Sequence, residues 1–401
     1  MRLMRLVILF FIILCCVPAL AMAADSGVAR CVNIRLDHHA ASRIGFALKQ
    51  MKTRDIDVTD APVTIQPRMA GLLGPRVTFL GRDVRLAVIT GQSSPQELWR
   101  KAQWNKAAVD CPYTSTSWRK SLKRGVYWNA TFENTLGFTT YDPKILYRTR
   151  YVAQAMFVRP YGFTFGGALS LPVATNTESL LYLPDDRPAV RRDMARFSNG
   201  GGVERLYASW RTTPITDLHV SVSAGNLEEM YGGVGAEAVY RPFGSAFWIG
   251  ADGWQTWRRD PFKAFNFAWT NEQRFTGHAR LGYDMPDSRF GVRMAAGRYL
   301  AGDTGLTLEA LQGFENGARL SGALTWTNRD EAEGFFKNNH FDPMVRLVWP
   351  LSKSGRYKTA THFQQVGRDG GQMLNRPQPL EDMTERFSGR EIIRHWAGML
   401  E

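Results

Sequence analysis

Gly225-Asn226-Leu227-Glu228-Glu229-Met230-Tyr231-Gly232-Gly233 joins two segments of alternating apolar and polar residues, and Tyr240-Arg241-Pro242-Phe243-Gly244 follows the second. Ahead of it, Leu218, Val220, Val222 and Ala224 alternate with His219, Ser221, Ser223 and Gly225. A side-chain period of two belongs to a strand with one apolar and one polar face. The run is therefore a tight, charged strand connection, in which the paired acids sit in a turn and the flanking glycines suit positive φ.

The same alternation recurs outward from this point. Phe275, Gly277, Ala279, Leu281 and Tyr283 form one apolar face, Phe290, Val292, Met294 and Ala296 another, and Ala318, Leu320, Gly322, Leu324 and Trp326 a third. From about Val126 onward, segments of about ten residues are separated by Gly, Asp, Asn and Pro turns, which predicts about thirteen strands. A soluble sandwich and a membrane barrel both show such faces. The strand lengths suit a tilted membrane crossing, and the polar face carries charge. Trp210, Tyr240, Trp257, Tyr283, Tyr299, Trp326 and Trp349 stand near strand ends, where an interfacial aromatic girdle sits. The expected fold is mainly β: an antiparallel outer-membrane β-barrel preceded by a small α+β periplasmic domain. The stretch Ala174 to Gly202 is expected to be an external or constricting loop. After Val366 the pattern stops, and Glu381 to Leu400 reads as a polar or amphipathic tail.

The N-terminus supplies the compartment. Arg2 and Arg5 precede an apolar stretch from Leu6 to Val17 and the triplet Ala21-Met22-Ala23, the pattern of a secretory leader. Leu14 stands where a lipidation site at Cys15 would want a small residue. The expected divisions are a signal peptide over 1–23, a periplasmic domain over 24–115, the barrel over 116–367 and a tail over 368–401. Within the second, Ala40 to Met51 and Pro95 to Val109 read as helices, the latter with a capping box at Ser94 and Glu97, and Ile56 to Ile65 and Val77 to Thr90 as strands. Cys31 and Cys111 are the cysteines outside the leader, and an oxidising compartment favours a bridge between them. The net charge is +13, which in an exported protein points to an anionic glycan or the phosphate-rich membrane face rather than to nucleic acid.

At these residues the chain resembles the YjbH-like outer-membrane barrel family of exopolysaccharide and capsule biosynthesis loci. The resemblance rests on Ala168-Leu169-Ser170-Leu171-Pro172, Gly225 to Gly233, Tyr240 to Gly244, Gly297-Arg298-Tyr299-Leu300-Ala301-Gly302-Asp303, and Arg368-Asp369-Gly370-Gly371 with Leu374-Asn375. Ser94-Pro95-Gln96-Glu97-Leu98-Trp99 fits the segment that precedes the barrel. The resemblance implies a barrel acting in production or export of a secreted polysaccharide, with other exopolysaccharide-locus proteins as partners and no catalytic residues to carry over. The chain resembles the C-terminal half of longer relatives.

The polar strand faces carry the chemistry. Arg205, Glu237, His278, Arg280, Arg293, Glu309, Arg319 and Arg346 lie on them. An Arg on the lipid face at midplane would cost about 2–4 kcal/mol, so these side chains are expected in the lumen. The Arg excess suits an anionic polysaccharide, because guanidinium groups bind carboxylates through paired hydrogen bonds. Equally, Arg and Glu can pair across a filled lumen. Trp248 and Trp254 suit either sugar stacking or packing. Among the family-motif residues, Glu228 and Glu229 can hold a cation, a neighbouring subunit or the turn itself, and Tyr231, Gly232, Gly233, Arg241 and Pro242 shape the same connections. Arg298, Tyr299 and Asp303 read as an anchor and turn, and Arg368 and Asp369 as the exit from the last strand.

His219 and Ser221 share a strand face, as in outer-membrane lipid hydrolases. However, they face the lumen, and Val222-Ser223 replaces the Asn-Gly continuation of those enzymes. No enzyme, cofactor or metal is expected; His38-His39 fits no zinc spacing. Two functions follow from different premises. One is passage or assembly of an anionic polysaccharide through an open, Arg-lined barrel; the other is a docking barrel with a plugged lumen.

Overall fold

The computed structural model describes residues 30–35, 63–104, 125–138, 145–178, 190–191, 194–198, 200–263, 269–286, 288–329, 341–352, 356–365, 370–389 and 391–392. The leader, His38-His39, the helix expected over 40–51, Cys111, Arg368 and Asp369 lie outside them, so the Cys31 pairing does too.

A five-stranded sheet comes first. It contains β1 (Arg30–Arg35), β2 (Val63–Met69), β3 (Leu72–Leu73), β4 (Val77–Phe79) and β5 (Gln103–Trp104), in the order β1-β2-β4-β5 with β3 paired to β2. Two expectations here need correction. The strand read over Val77 to Thr90 ends at Phe79, because Gly81-Arg82-Asp83 breaks the alternation and starts helix α1 (Gly81–Val84), which widens into π-type turns over Arg85–Thr90. The helix read over Pro95 to Val109 is α2 (Pro95–Arg100), capped as expected by Ser94 accepting from the Glu97 N–H at 3.2 Å. It stops early because Gln103 and Trp104 pair with Thr78 and Val77, and sheet pairing overrides local helix propensity.

Thirteen strands then close into a barrel: β6 (Val126–Phe138), β7 (Ile145–Val158), β8 (Phe163–Thr175), β9 (Gly202–Ile215), β10 (Leu218–Asn226), β11 (Tyr231–Tyr240), β12 (Phe247–Arg259), β13 (Trp269–Asp284), β14 (Phe290–Arg298), β15 (Thr304–Gly313), β16 (Arg319–Thr327), β17 (Phe341–Pro350) and β18 (Tyr357–Gln365). Each pairs antiparallel with the next. In a meander of odd count the first and last strands run the same way, so β18 closes on β6 in parallel, from Tyr357 against Ala130 to Gln365 against Phe138. The count also fixes where the chain emerges. It enters β6 at the end bearing the short connections, such as Thr216-Asp217, and leaves β18 at the opposite end, with the long connection over 176–201.

The alternation read from the sequence sets the two faces. Outward residues include Phe132, Leu171, Ile249, Phe275, Leu320 and Phe363, each more than a third exposed, so an apolar band encircles the barrel. A band on all sides suits lipid and not water. Among the described residues no helix is long and apolar enough to cross a membrane. Trp349 and Tyr240 stand exposed near strand ends as expected of a girdle, whereas Tyr299 is fully buried inside and is corrected from that role.

Inward-facing Trp248 and Trp254 lie flat over glycines. A Cβ on Gly282 would stand 2.0 Å from the Trp248 ring, and one on Gly235 would stand 2.3 Å from Trp254. Gly282→Val is expected to push Trp248 out of its seat and to cost about 1–3 kcal/mol. A lower urea midpoint in vesicles would register it, and an unchanged midpoint would contradict this packing.

Candidate functional site

The candidate site is the lumen, and the chain's own C-terminal segment occupies it. Because β18 ends at the long-connection end, residues 370–392 must start there, and they run back through the barrel. At the entry, Gly371 N–H donates to Asp303 at 2.8 Å and Leu300 N–H donates to the Gln372 carbonyl at 3.0 Å. Midway, Arg376 binds Glu237 and reaches Glu381 at 2.5 and 3.2 Å. Then helix α4 (Leu380–Thr384) sets Glu381 3.6 Å from Arg280, and Asp382 2.6 Å from Arg293. At the far end Leu380, Met383 and Phe387 pack with Trp248, Val239 and the hairpin residues Met69, Ala70 and Leu72. The N-terminal sheet thus packs against the short-connection end. Leu73 N–H bonds the Thr213 hydroxyl at 2.9 Å, and Trp104 stacks on Phe243 at 4.2 Å.

The Gly225 to Gly233 connection holds the returning segment at the other end. Glu228 receives two bonds from Arg191, at 3.0 and 3.1 Å, and one from Asn375 N–H at 2.8 Å. Glu229 takes the Arg148 fork, with Arg150 at 3.4 Å. Tyr231 donates to the Val190 carbonyl at 2.7 Å, and Leu227 and Met230 pack with Met194, Ala195, Phe197 and Trp254. From the stretch expected to be an external or constricting loop, helix α3 (Met194–Ser198) packs on this turn. Arg259, fully buried, donates to the carbonyls of Val203, Glu204, Glu228 and Glu229 within 2.7–2.9 Å. The glycines differ from the expectation: Gly225 has φ 131°, but Gly232 and Gly233 are extended. They are needed for space, since a Cβ would stand 2.3 Å from the Trp269 ring and 2.4 Å from the Gln255 carbonyl.

Burial alone would raise the Glu229 carboxyl, but the Arg148 and Arg150 guanidiniums outweigh it and hold it at about 2, below the ordinary 4.5. A depressed folded-state value means that stability is present above the unfolded value and is lost as pH falls through 4.5 towards 2. Glu229→Gln should remove about 2–3 kcal/mol of that acid dependence, read as a flatter urea midpoint between pH 5 and 2. An unchanged slope would contradict the assignment.

The remaining expected residues fall on the lumen wall. Arg280 binds Asp252 at 2.6 Å, and His278 lies 3.6 Å from Asp252 with Tyr299 against its ring. Glu309 opposes Arg293 in register. Arg319 lies 3.6 Å from Glu385, and Arg205 3.4 Å from Glu204. Arg346 faces His362 across β17 and β18 and is exposed. Arg241 binds Asp284 and the Glu381 carbonyl beneath Trp248, Pro242 accepts from Ser245 N–H at 3.1 Å, and the Arg298 carbonyl accepts from Thr276 at 2.6 Å. Tyr299 shares a hydroxyl bond with Thr307 at 2.7 Å. Trp248 and Trp254 are packing residues. His219 bonds Thr213 at 3.0 Å and stacks on Phe387, so its ring is engaged by the returning segment. Among the described residues no His, Cys, Asp or Glu cluster is arranged to hold a metal.

The sequence reading passes over Arg148, Arg150, Glu204, Asp252 and Arg259, and over the carboxylates after residue 380. Arg148 and Arg150 carry a legible signal, being charges two apart within a strand of membrane length.

A closed strand barrel with an apolar outer band and a lumen filled by its own C-terminal segment is the class that these features define. A family profile described as "Exopolysaccharide biosynthesis protein YbjH" matches residues 55–386, and the chain belongs to that YjbH family. It is 34% identical over 230 residues to the "Uncharacterized lipoprotein YjbH" of Escherichia coli strain K12, a match covering 54% of this chain and 32% of that protein. The match thus spans about a third of that relative's length. Among solved structures it is similar to an anion-selective porin from Comamonas acidovorans, at 11% identity and a TM-score of 0.28, over 57% of this chain and 85% of that one. A likeness that distant carries no argument for this barrel.

Proposed function

We propose that the protein sits in the outer membrane and serves exopolysaccharide production as a sealed docking barrel, which holds its N-terminal sheet at the periplasmic face for other exopolysaccharide proteins. The observation that carries this reading is the segment 370–392, bound across the lumen by Arg376, Arg280, Arg293 and Arg319 to Glu237 and its own carboxylates. Barrels of this kind carry short periplasmic turns and longer external loops, which supports a periplasmic position for the N-terminal sheet. That sheet then forms the surface available to partners.

A second reading is supported by the Arg-rich wall: passage of an anionic polysaccharide once the segment is displaced. A disulfide engineered between α4 and β11 separates the two readings. Under the docking reading the locked protein supports exopolysaccharide output at the level of the unlocked one. Output that stops on locking and returns with reductant would overturn docking in favour of passage.

A further inference from the structure

Most lumen cations are matched by carboxylates of the wall or of the returning segment, but one sector is not. On β17 and β18, Arg346 and Lys358 face inward; the carboxylate beside them on β6, Glu133, is bound by Arg150 at 2.6 Å, and no ion pair with Arg346 or Lys358 forms among the described residues. Arg346 is exposed, so the sector is open to solvent. Lys358 pairs in register with Thr131 on β6, one inward step from Asn129. Asn129 lines a shallow cavity between β6 and β9, together with Gln154, Arg205 and Gln378. Two buried atoms of that wall, Arg205 Nε and Gln378 Oε1, have no hydrogen-bond partner, and Gln378 holds the strained φ of 55°. Buried polar atoms without a protein partner call for one from outside, and strain of this kind collects at ligand clamps.

We propose that this sector is a binding subsite for a carboxylate-bearing saccharide, in which Arg346 and Lys358 hold the carboxylate while Asn129, Gln154 and Gln378 bond adjoining hydroxyls. The pairing of cations with amides is what a uronate requires: the charges recognise the acid, and the amides both donate to and accept from sugar hydroxyls. A free phosphate would use the cations alone. The subsite rests on the reading of the chain as serving exopolysaccharide production, and one of its groups, Gln378, is contributed by the returning segment between Arg376 and α4.

The test is microcalorimetry of the full chain in detergent with trigalacturonate, neutral maltotriose and inorganic phosphate. Trigalacturonate is expected to bind and maltotriose not. The double variant Arg346→Gln/Lys358→Gln should weaken binding by ~10-fold or more, while Arg346→Lys stays within ~3-fold of the wild type. Unchanged heat-modifiable migration of the variants would show that the barrel persists. The proposal is overturned by absence of trigalacturonate binding, by a double variant that binds as the wild type does, or by phosphate competing as tightly as the trimer. Absent binding with normal exopolysaccharide output would sink the subsite alone; lost output on locking α4, with binding intact, would sink the docking reading alone.

Discussion

Arg376→Ala is expected to lower the unfolding free energy of the barrel by about 3–5 kcal/mol, the cost of breaking a buried ion pair by removing one partner. Arg376 is 8% exposed and binds both Glu237 and Glu381, with Asp252 at 4.0 Å. Its removal leaves Glu237, Asp252 and Glu381 together inside the lumen, with Arg280 still paired to Asp252 and Glu381. Arg376→Met combined with Glu237→Gln should be milder than the single alanine, because it takes away charge from both sides. Urea unfolding in lipid vesicles measures both. A single variant within about 0.5 kcal/mol of the wild type would mean that the segment is not seated in the lumen.

Arg259→Leu should be comparably severe, at about 3–5 kcal/mol, for a different reason. Arg259 is fully buried, and its guanidinium satisfies four backbone carbonyls belonging to β9 and to the Glu228-Glu229 turn. Leucine fills part of the volume but leaves acceptors buried without donors, which costs the full desolvation of each carbonyl. Arg259→Lys keeps the charge without the planar fork, so it should recover only part of the loss. The loosened turn should also expose the linkage between Arg191 and Glu228, so the two variants differ in where local opening begins. Hydrogen exchange would place Arg259→Leu at the turn after β10 and Arg376→Ala at mid-lumen.

Much of the barrel is legible from the period-two pattern alone, because lipid outside and charge inside impose opposite demands on alternate residues. Phe275 and Leu281 fall outside and His278 and Arg280 inside, as the alternation requires. The aromatic rule works for exposed Trp349 and Tyr240 but fails for Tyr299, whose hydroxyl has a partner in Thr307 within the lumen. Proximity to a strand end does not say which face a ring takes. In the N-terminal sheet, Gln103-Trp104 joins β4 although the local pattern is helical, a pairing that only the partner strand decides.

The sealed lumen was the least accessible feature. Arg376, Glu381 and Asp382 read as a polar tail because nothing local marks their partners, which stand far away in sequence on β11, β13 and β14. The signal that could have revealed them is parity. An odd number of antiparallel strands delivers the chain to the end opposite the N-terminal sheet, and Leu380, Met383 and Phe387 can meet that sheet only through the barrel. The Glu228-Glu229 turn gains its meaning from the same route, since Glu228 caps Asn375 of the returning segment.

Single-channel conductance in planar bilayers, comparing the intact chain with one lacking residues 370–401, tests the sealed lumen most directly. The intact barrel should pass no stepwise current, and the shortened one should open with anion preference, because Arg280, Arg293 and Arg319 lose Glu381, Asp382 and Glu385. Equal conductance from both proteins would contradict the account.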